Sequence, residues 1–294
     1  MNPFHLPEGA EIVSHPAELS EILCLSPLAS YRILLQGAQL LEWAPLNQAP
    51  VIWLSPHAQF ISGKSPRGGT PICWPWFGPA TDPTLPAHGL VRNKAWTLNS
   101  YIRHPDGSDE IQFSIATSPD ITPEWPHRAS LILTYRIGTT LSITLETLNT
   151  DTASFPITEA IHTYFGVSDV RNIEILGLDS TTYLDRLHSD QRFIQKGPIR
   201  INAETDRVYI SNATACSIID PDNHRQILIK TEGSHSRVVW NPWSDKASKL
   251  GDLGTDDYLR MVCVECGNIE DNAMHIGPGQ AHRMHIEYST DTIS

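Results

Sequence analysis

A long succession of short apolar runs, each closed by turn-forming residues, constrains this chain more than anything else in it. YRILLQGAQLLEWAP reads as a strand, a Gln-Gly turn and a second strand, with VIWLSP as a short third. EIQFSIAT, SLILTYRI, LSITLETLN, ITEAIHTYFGV, RVYI, CSIID, QILIK, RVVW, RMVCVEC and HRMHIEY follow. In LSITLETL the residues Leu141, Ile143 and Leu145 alternate with Ser142, Thr144 and Glu146, the period of two that marks a half-buried strand. Helical periodicity is scarce, and 22 prolines and 18 glycines punctuate the runs. Such spacing predicts an all-β fold, a large antiparallel β-sandwich or barrel-like form in place of alternating β/α units. No repeat, low-complexity tract or linker divides the 294 residues, so a single domain over 1–294 is expected.

Two long segments break the pattern. Residues 60–92 are dense in Gly, Pro and aromatic side chains, and Trp74, Trp76 and Phe77 argue that the segment is ordered, because exposed they would form an aggregation-prone patch. Residues 241–257, NPWSDKASKLGDLGTDD, are polar and predict a surface rim leading into the run that holds Glu265.

Charge narrows the partners. With 21 Lys plus Arg against 33 Asp plus Glu the formal charge is −12, which argues against nucleic acid. A small anionic substrate stays compatible, since screening confines exposed charges to about 8 Å and a few arginines suffice locally. The start lacks a basic segment followed by an apolar core, and no apolar run reaches the roughly 18 residues of a membrane span. A soluble cytoplasmic monomer without membrane contact is expected. The five cysteines are odd in number and lie mostly in apolar strings, as reduced thiols do. Cys263 and Cys266 mimic half a zinc or redox motif, but strand periodicity sends them to opposite faces, so no metal is expected.

Several residues could carry chemistry. His162, in ITEAIHTYFGV, has an apolar surround with Glu159 as its one charged neighbour. It could serve as acid or base, or be a hydrogen-bonded structural histidine. In MVCVEC the alternation puts Met261, Cys263 and Glu265 on one face and Val262, Val264 and Cys266 on the other. Desolvation there would raise the pKa of Glu265 toward that of a general base, unless an ion pair compensates. Arg67, before two glycines that could let a ligand approach closely, and His88 and Arg92, in HGLVR, bring donors suited to a phosphorylated polyhydroxyl ring. They could equally brace loops or pair with acids. Asp206 could hold a sugar hydroxyl or a salt bridge.

Taken in order, the strings RGGTPICWPWFGP, LPAHGLVRNKAW, ITEAIHTYFGVSDV, ETDRVY, VVWNPW and MVCVE resemble the hexose-6-phosphate mutarotases, or glucose-6-phosphate 1-epimerases, of the aldose 1-epimerase superfamily. The similarity runs from about residue 33 to the end. It implies the galactose mutarotase-like supersandwich, a cofactor-independent isomerase and a sugar-phosphate substrate. It also implies His162 and Glu265 as the catalytic pair, with Arg67, His88, Arg92 and Asp206 lining the pocket. Cys266 departs from what many relatives carry after the glutamate, but its side chain is expected to face away from the site. Glu265 is then the base and His162 the acid in ring opening. That role requires His162 to be protonated at rest, with Glu265, Glu159 or the substrate phosphate supplying the negative charge. A mutarotase of unphosphorylated aldoses such as galactose would use the same pair, a non-catalytic carbohydrate-binding protein would use the same fold, and a scaffold protein would leave the site residues unexplained.

Overall fold

In the computed structural model, which describes residues 6–15 and 19–293, the alternation becomes burial. The strand Leu141–Asn149 buries every second residue along its whole length. Its phase overrides side-chain polarity at the end, where Thr147 and Asn149 point inward and Leu148 is exposed. Residues 1–5, 16–18 and 294 lie outside the described residues.

That strand belongs to an eight-stranded antiparallel sheet ordered Glu174–Leu176, Ala215–Asp220, Arg225–Glu232, Ala281–Thr292, Leu141–Asn149, Ala129–Ile137, Asp109–Thr117 and Thr97–Arg103. The second large sheet runs Gln191–Ile194, Thr182–Asp185, Thr205–Ile210, Ser236–Asn241, Met261–Asn268, Glu159–Ile161 and Ile72–Cys73, and Tyr164–Gly166 also pairs with Met261–Asn268. Leu133, Ile143 and Ile286 of the first sheet share one apolar core with Val239, Val262 and Val264 of the second, which makes the expected antiparallel sandwich. A four-stranded meander over residues 10–45 and the ribbon of Phe155–Ile157 with Met274–Ile276 complete the strands.

Several segments differ from the sequence reading. VIWLSP forms no ladder strand: Ile52 and Leu54 make isolated bridges to Trp43, Phe165 and Gly68, and Pro50 and Pro56 bracket a stretch too short to pair continuously. The strands Ala10–Ser14, Ser20–Leu25 and Thr97–Arg103 were hidden by weak or polar patterning. Residues 241–257 hold the five-residue helix Trp243–Ala247, the one α-helix among the described residues. Residues 60–92 are ordered as expected, with Trp74 fully buried and edge-on to Trp125 at 4.8 Å. All five cysteines are buried and free.

All eight positions of Met261–Asn268 are buried. Val262, Val264 and Cys266 enter the main core, while Met261 and Cys263 join Tyr164, Val238 and Trp240 in a second cluster on the other side. Glu265 shares that second face, and Cys266 faces away from it, both as the alternation predicted.

Candidate active site

Pairing in the second sheet brings distant residues together. Glu159–Ile161 pairs with Met261–Asn268 on one side and with Ile72–Cys73 on the other, so Ala160 faces both Gly267 and Cys73. The contact continues past the ladder, where the His162 amide donates to the Pro71 carbonyl at 2.9 Å and the Tyr164 amide to that of Gly69 at 2.9 Å. Arg67 is thereby laid beside Tyr164. The glycine after Gly68 serves the protein's own backbone and not a ligand: a Cβ on Gly69 would meet the Leu40 carbonyl oxygen at 2.3 Å.

A cavity of ≈ 350 Å³ opens on this face, lined by Arg67, His88, His162, Asp206 and Glu265 among others. Five of the six residues singled out from the sequence thus meet there. Arg92 is not among the lining residues: its Nη2 donates to the Ala87 carbonyl at 3.0 Å, and its charge helps lower the pKa of His88 and His162. Sequence reasoning did not single out as site residues Arg186, Lys246, Phe77, Trp240 and Leu250, which line the cavity as well. Trp240 stands in the VVWNPW string, but Arg186 and Lys246 sit in a short 3-10 turn and in the helix Trp243–Ala247, neither of which carries a local signal in the sequence.

His162 Nε2 lies 3.4 Å from Glu265 Oε1, and the side chains are only 11% and 1% exposed. The imidazole stacks on Tyr164 at 4.9 Å and 14°, which fixes its plane. Neither His162 Nδ1 nor Glu265 Oε2 has a hydrogen-bond partner in the protein among the described residues. Each polar cation of the lining has a carboxylate: Arg67 Nε with Asp252 at 3.1 Å, Lys246 with Glu204 at 2.9 Å, and Arg186 with Asp190 at 2.6 Å and with Glu270. The Gly78 amide donates to His88 Nδ1 at 3.3 Å, so the proton of the neutral ring is assigned to Nε2.

The electrostatics correct one expectation. Burial first, and then His88, Arg92 and Arg67, drive the His162 pKa well below its ordinary value, so the imidazole is neutral at rest and not protonated. Burial and then Asp206 push Glu265 well above the carboxylate range, with Arg92 opposing. Burial thus disfavours the charged form of both members of the pair. Glu159 offers His162 no help, being bonded to Asn268 at 3.0 Å and paired with His282 at 3.0 Å. Burial, reinforced by Arg92 and Arg67, lowers His88 to about 3, and burial raises Asp206 against Lys246 and Arg186. Such a site can exchange a proton between two nearby groups while presenting donors and acceptors to a polyhydroxyl ligand.

Known proteins resemble this chain at several levels. A family model described as aldose 1-epimerase matches residues 25–289. The chain is 37% identical over 250 residues to a "Putative glucose-6-phosphate 1-epimerase" of Escherichia coli, covering 84% of this chain and 83% of that protein. A protein of the same name from Cenchrus ciliaris is 32% identical over 290 residues, covering 95% and 87%. The structure matches that of "a putative mutarotase" from Salmonella typhimurium with TM-score 0.91 at 30% identity, over 98% of this chain and 95% of that one. A galactose mutarotase-like protein from Clostridium acetobutylicum, at TM-score 0.75 and 11% identity over 97% and 98%, shares the fold.

Proposed function

The chain belongs to the aldose 1-epimerase family, and from that premise we propose that it interconverts the α and β anomers of D-glucose 6-phosphate and related hexose 6-phosphates. The observation that carries this reading is the His162 to Glu265 contact at 3.4 Å inside a cavity whose lining also holds three cations. In ring opening, the Glu265 carboxylate takes the proton of the anomeric hydroxyl as the C1–O5 bond breaks, and the His162 imidazolium protonates O5. Carbonyl character forms at C1 without a free charge on either oxygen. Rotation about C1–C2 presents the other carbonyl face, and closure returns both protons. Arg67, with Arg186 and Lys246, recognises the phosphate; His88 Nε2–H and Asp206 contact ring hydroxyls.

Because burial disfavours both charges, ring opening needs the bound sugar phosphate to favour the Glu265 carboxylate and the His162 imidazolium. The substrate supplies the bias: a phosphate dianion on Arg67 offsets one of the charges that keep His162 neutral, and sugar hydroxyls donating to Glu265 favour its ionised form. The neutral pair and the ion pair have the same total charge, so passing between them needs no proton from solution. We take the protein as a one-domain cytoplasmic monomer acting on its sugar phosphate without a cofactor.

The test is to dissolve pure α-glucose 6-phosphate and follow anomerisation by polarimetry or proton NMR with and without the protein. Acceleration over the spontaneous rate is expected, with a clear preference over glucose at equal concentration. A preference for free glucose would move the substrate to unphosphorylated aldoses, and no acceleration would leave a binding protein.

A further inference from the structure

Arg67 is held from two sides by residues outside the reaction. Its Nη1 donates to the Tyr164 hydroxyl at 3.1 Å, and the Tyr164 ring stacks on His162. Its Nε donates to Asp252 Oδ1 at 3.1 Å, from a residue 185 positions later that does not line the cavity. Asp252 is itself fixed. The Ser55 hydroxyl donates to the Asp252 carbonyl at 2.7 Å, and the Ser55 amide donates to the Arg67 carbonyl at 3.0 Å. One buried serine thus sets both the backbone of the arginine and the backbone of its carboxylate partner. Two further contacts tie the same segments: Gln59 Nε2 to the Gly251 carbonyl at 3.2 Å, and His57 Nδ1 with Asp257 Oδ2 at 2.9 Å.

A guanidinium has five N–H donors in a fixed fork. With Nε on Asp252 and one Nη1 donor on Tyr164, its plane is set and Nη2 is left for a ligand. We propose that Asp252, fixed by Ser55, is a positioning residue for substrate recognition: it aims Arg67 so that the remaining donors meet the phosphate of the hexose 6-phosphate. The proposal rests on the phosphate reading above. A carboxylate beside an anion-binding arginine opposes the anion electrostatically, so its contribution is orientation, and it takes Nε alone of the five donors.

The experiment compares kinetics on glucose 6-phosphate and on glucose for the wild type and for Asp252→Ala, Asp252→Asn, Ser55→Ala and Arg67→Ala, with thermal melts of each. Asp252→Ala is expected to raise KM for glucose 6-phosphate by on the order of tenfold, the usual effect of a lost charge-assisted hydrogen bond, with less change in kcat. Asp252→Asn, whose amide oxygen still accepts from Nε, should recover most of that loss. Ser55→Ala should move KM the same way by less, and it carries the test if Asp252→Ala does not fold. In each impaired variant the kcat/KM ratio of glucose 6-phosphate to glucose falls. Lowered melting temperature with KM and that ratio within twofold of wild type would make Asp252 a loop brace and overturn the proposal. If the wild type shows no preference for the phosphorylated sugar, the substrate reading fails and takes this inference with it. If the preference exists but survives Arg67→Ala, the phosphate is read elsewhere, and this inference alone fails.

Discussion

At Glu265 the demands of stability and of proton transfer oppose one another. Its folded-state pKa lies above its ordinary 4.5, so from pH 4.5 upward the unfolded chain releases a proton that the folded chain keeps, and stability falls as pH rises toward the folded value. Glu265→Gln cannot ionise. It is expected to melt higher than wild type at pH 7 to 8, with the margin vanishing below pH 4.5; a margin independent of pH would contradict the assigned cause. His88 has the opposite sign. Lowered to about 3, it stays neutral while the unfolded chain takes up a proton below 6.5, so its contribution is lost as pH falls from 6.5 toward 3. The stabilised Gln variant should nonetheless be a poor catalyst. Glu265→Gln and His162→Asn are each expected to lower turnover by on the order of a hundredfold or more with the circular dichroism spectrum retained. Near-normal turnover in either would remove that residue from the mechanism. The bell-shaped rate profile expected of wild type belongs to the pair: one limb adds a second proton and the other removes the only one.

At the scale of elements, strand Met261–Asn268 explains what the sequence could reveal. Its period of two placed Glu265 with Met261 and Cys263 and turned Cys266 away, because a strand covered on both faces admits only one alternation. Single-turn helices obey no such rule. Lys246 and Arg186 reach the cavity through ion pairs with Glu204 and Glu270, 42 and 84 positions away, a separation that no local pattern encodes. Arg92 was equally beyond a local reading, since HGLVR does not reveal that its Nη2 bonds the Ala87 carbonyl. The turn that carries His88 is set by a close backbone contact: a Cβ on Gly89, at φ +80°, would lie 2.0 Å from the Trp74 carbonyl oxygen. Gly89→Ala is therefore expected to cost at least about 2 kcal/mol in denaturant melts and to raise KM by displacing His88. Unchanged stability would mean that the turn relaxes without consequence.

Over the whole molecule the sandwich is unevenly secured. Leu141–Asn149 and Ala129–Ile137 pair with each other over nine positions and with further strands on their outer sides. Gln191–Ile194 closes the other sheet as a fully exposed edge. Amide hydrogen exchange should be slowest in the former and fastest among strands in the latter, and the reverse order would place the stable core elsewhere. The charge distribution matters more for the reaction. In a chain of net charge −12, the three cations of the cavity are each matched by a carboxylate before any substrate arrives. An entering dianion meets cations whose charge is already offset, and must share them with Asp252, Glu204, Asp190 and Glu270. Residence on the protein is then short for both anomers. KM is accordingly expected toward the upper end of the usual range of roughly 1 μM to 1 mM. Such looseness suits the task, since two ligands that differ only at C1 must enter and leave with equal ease if their equilibrium is to be reached quickly.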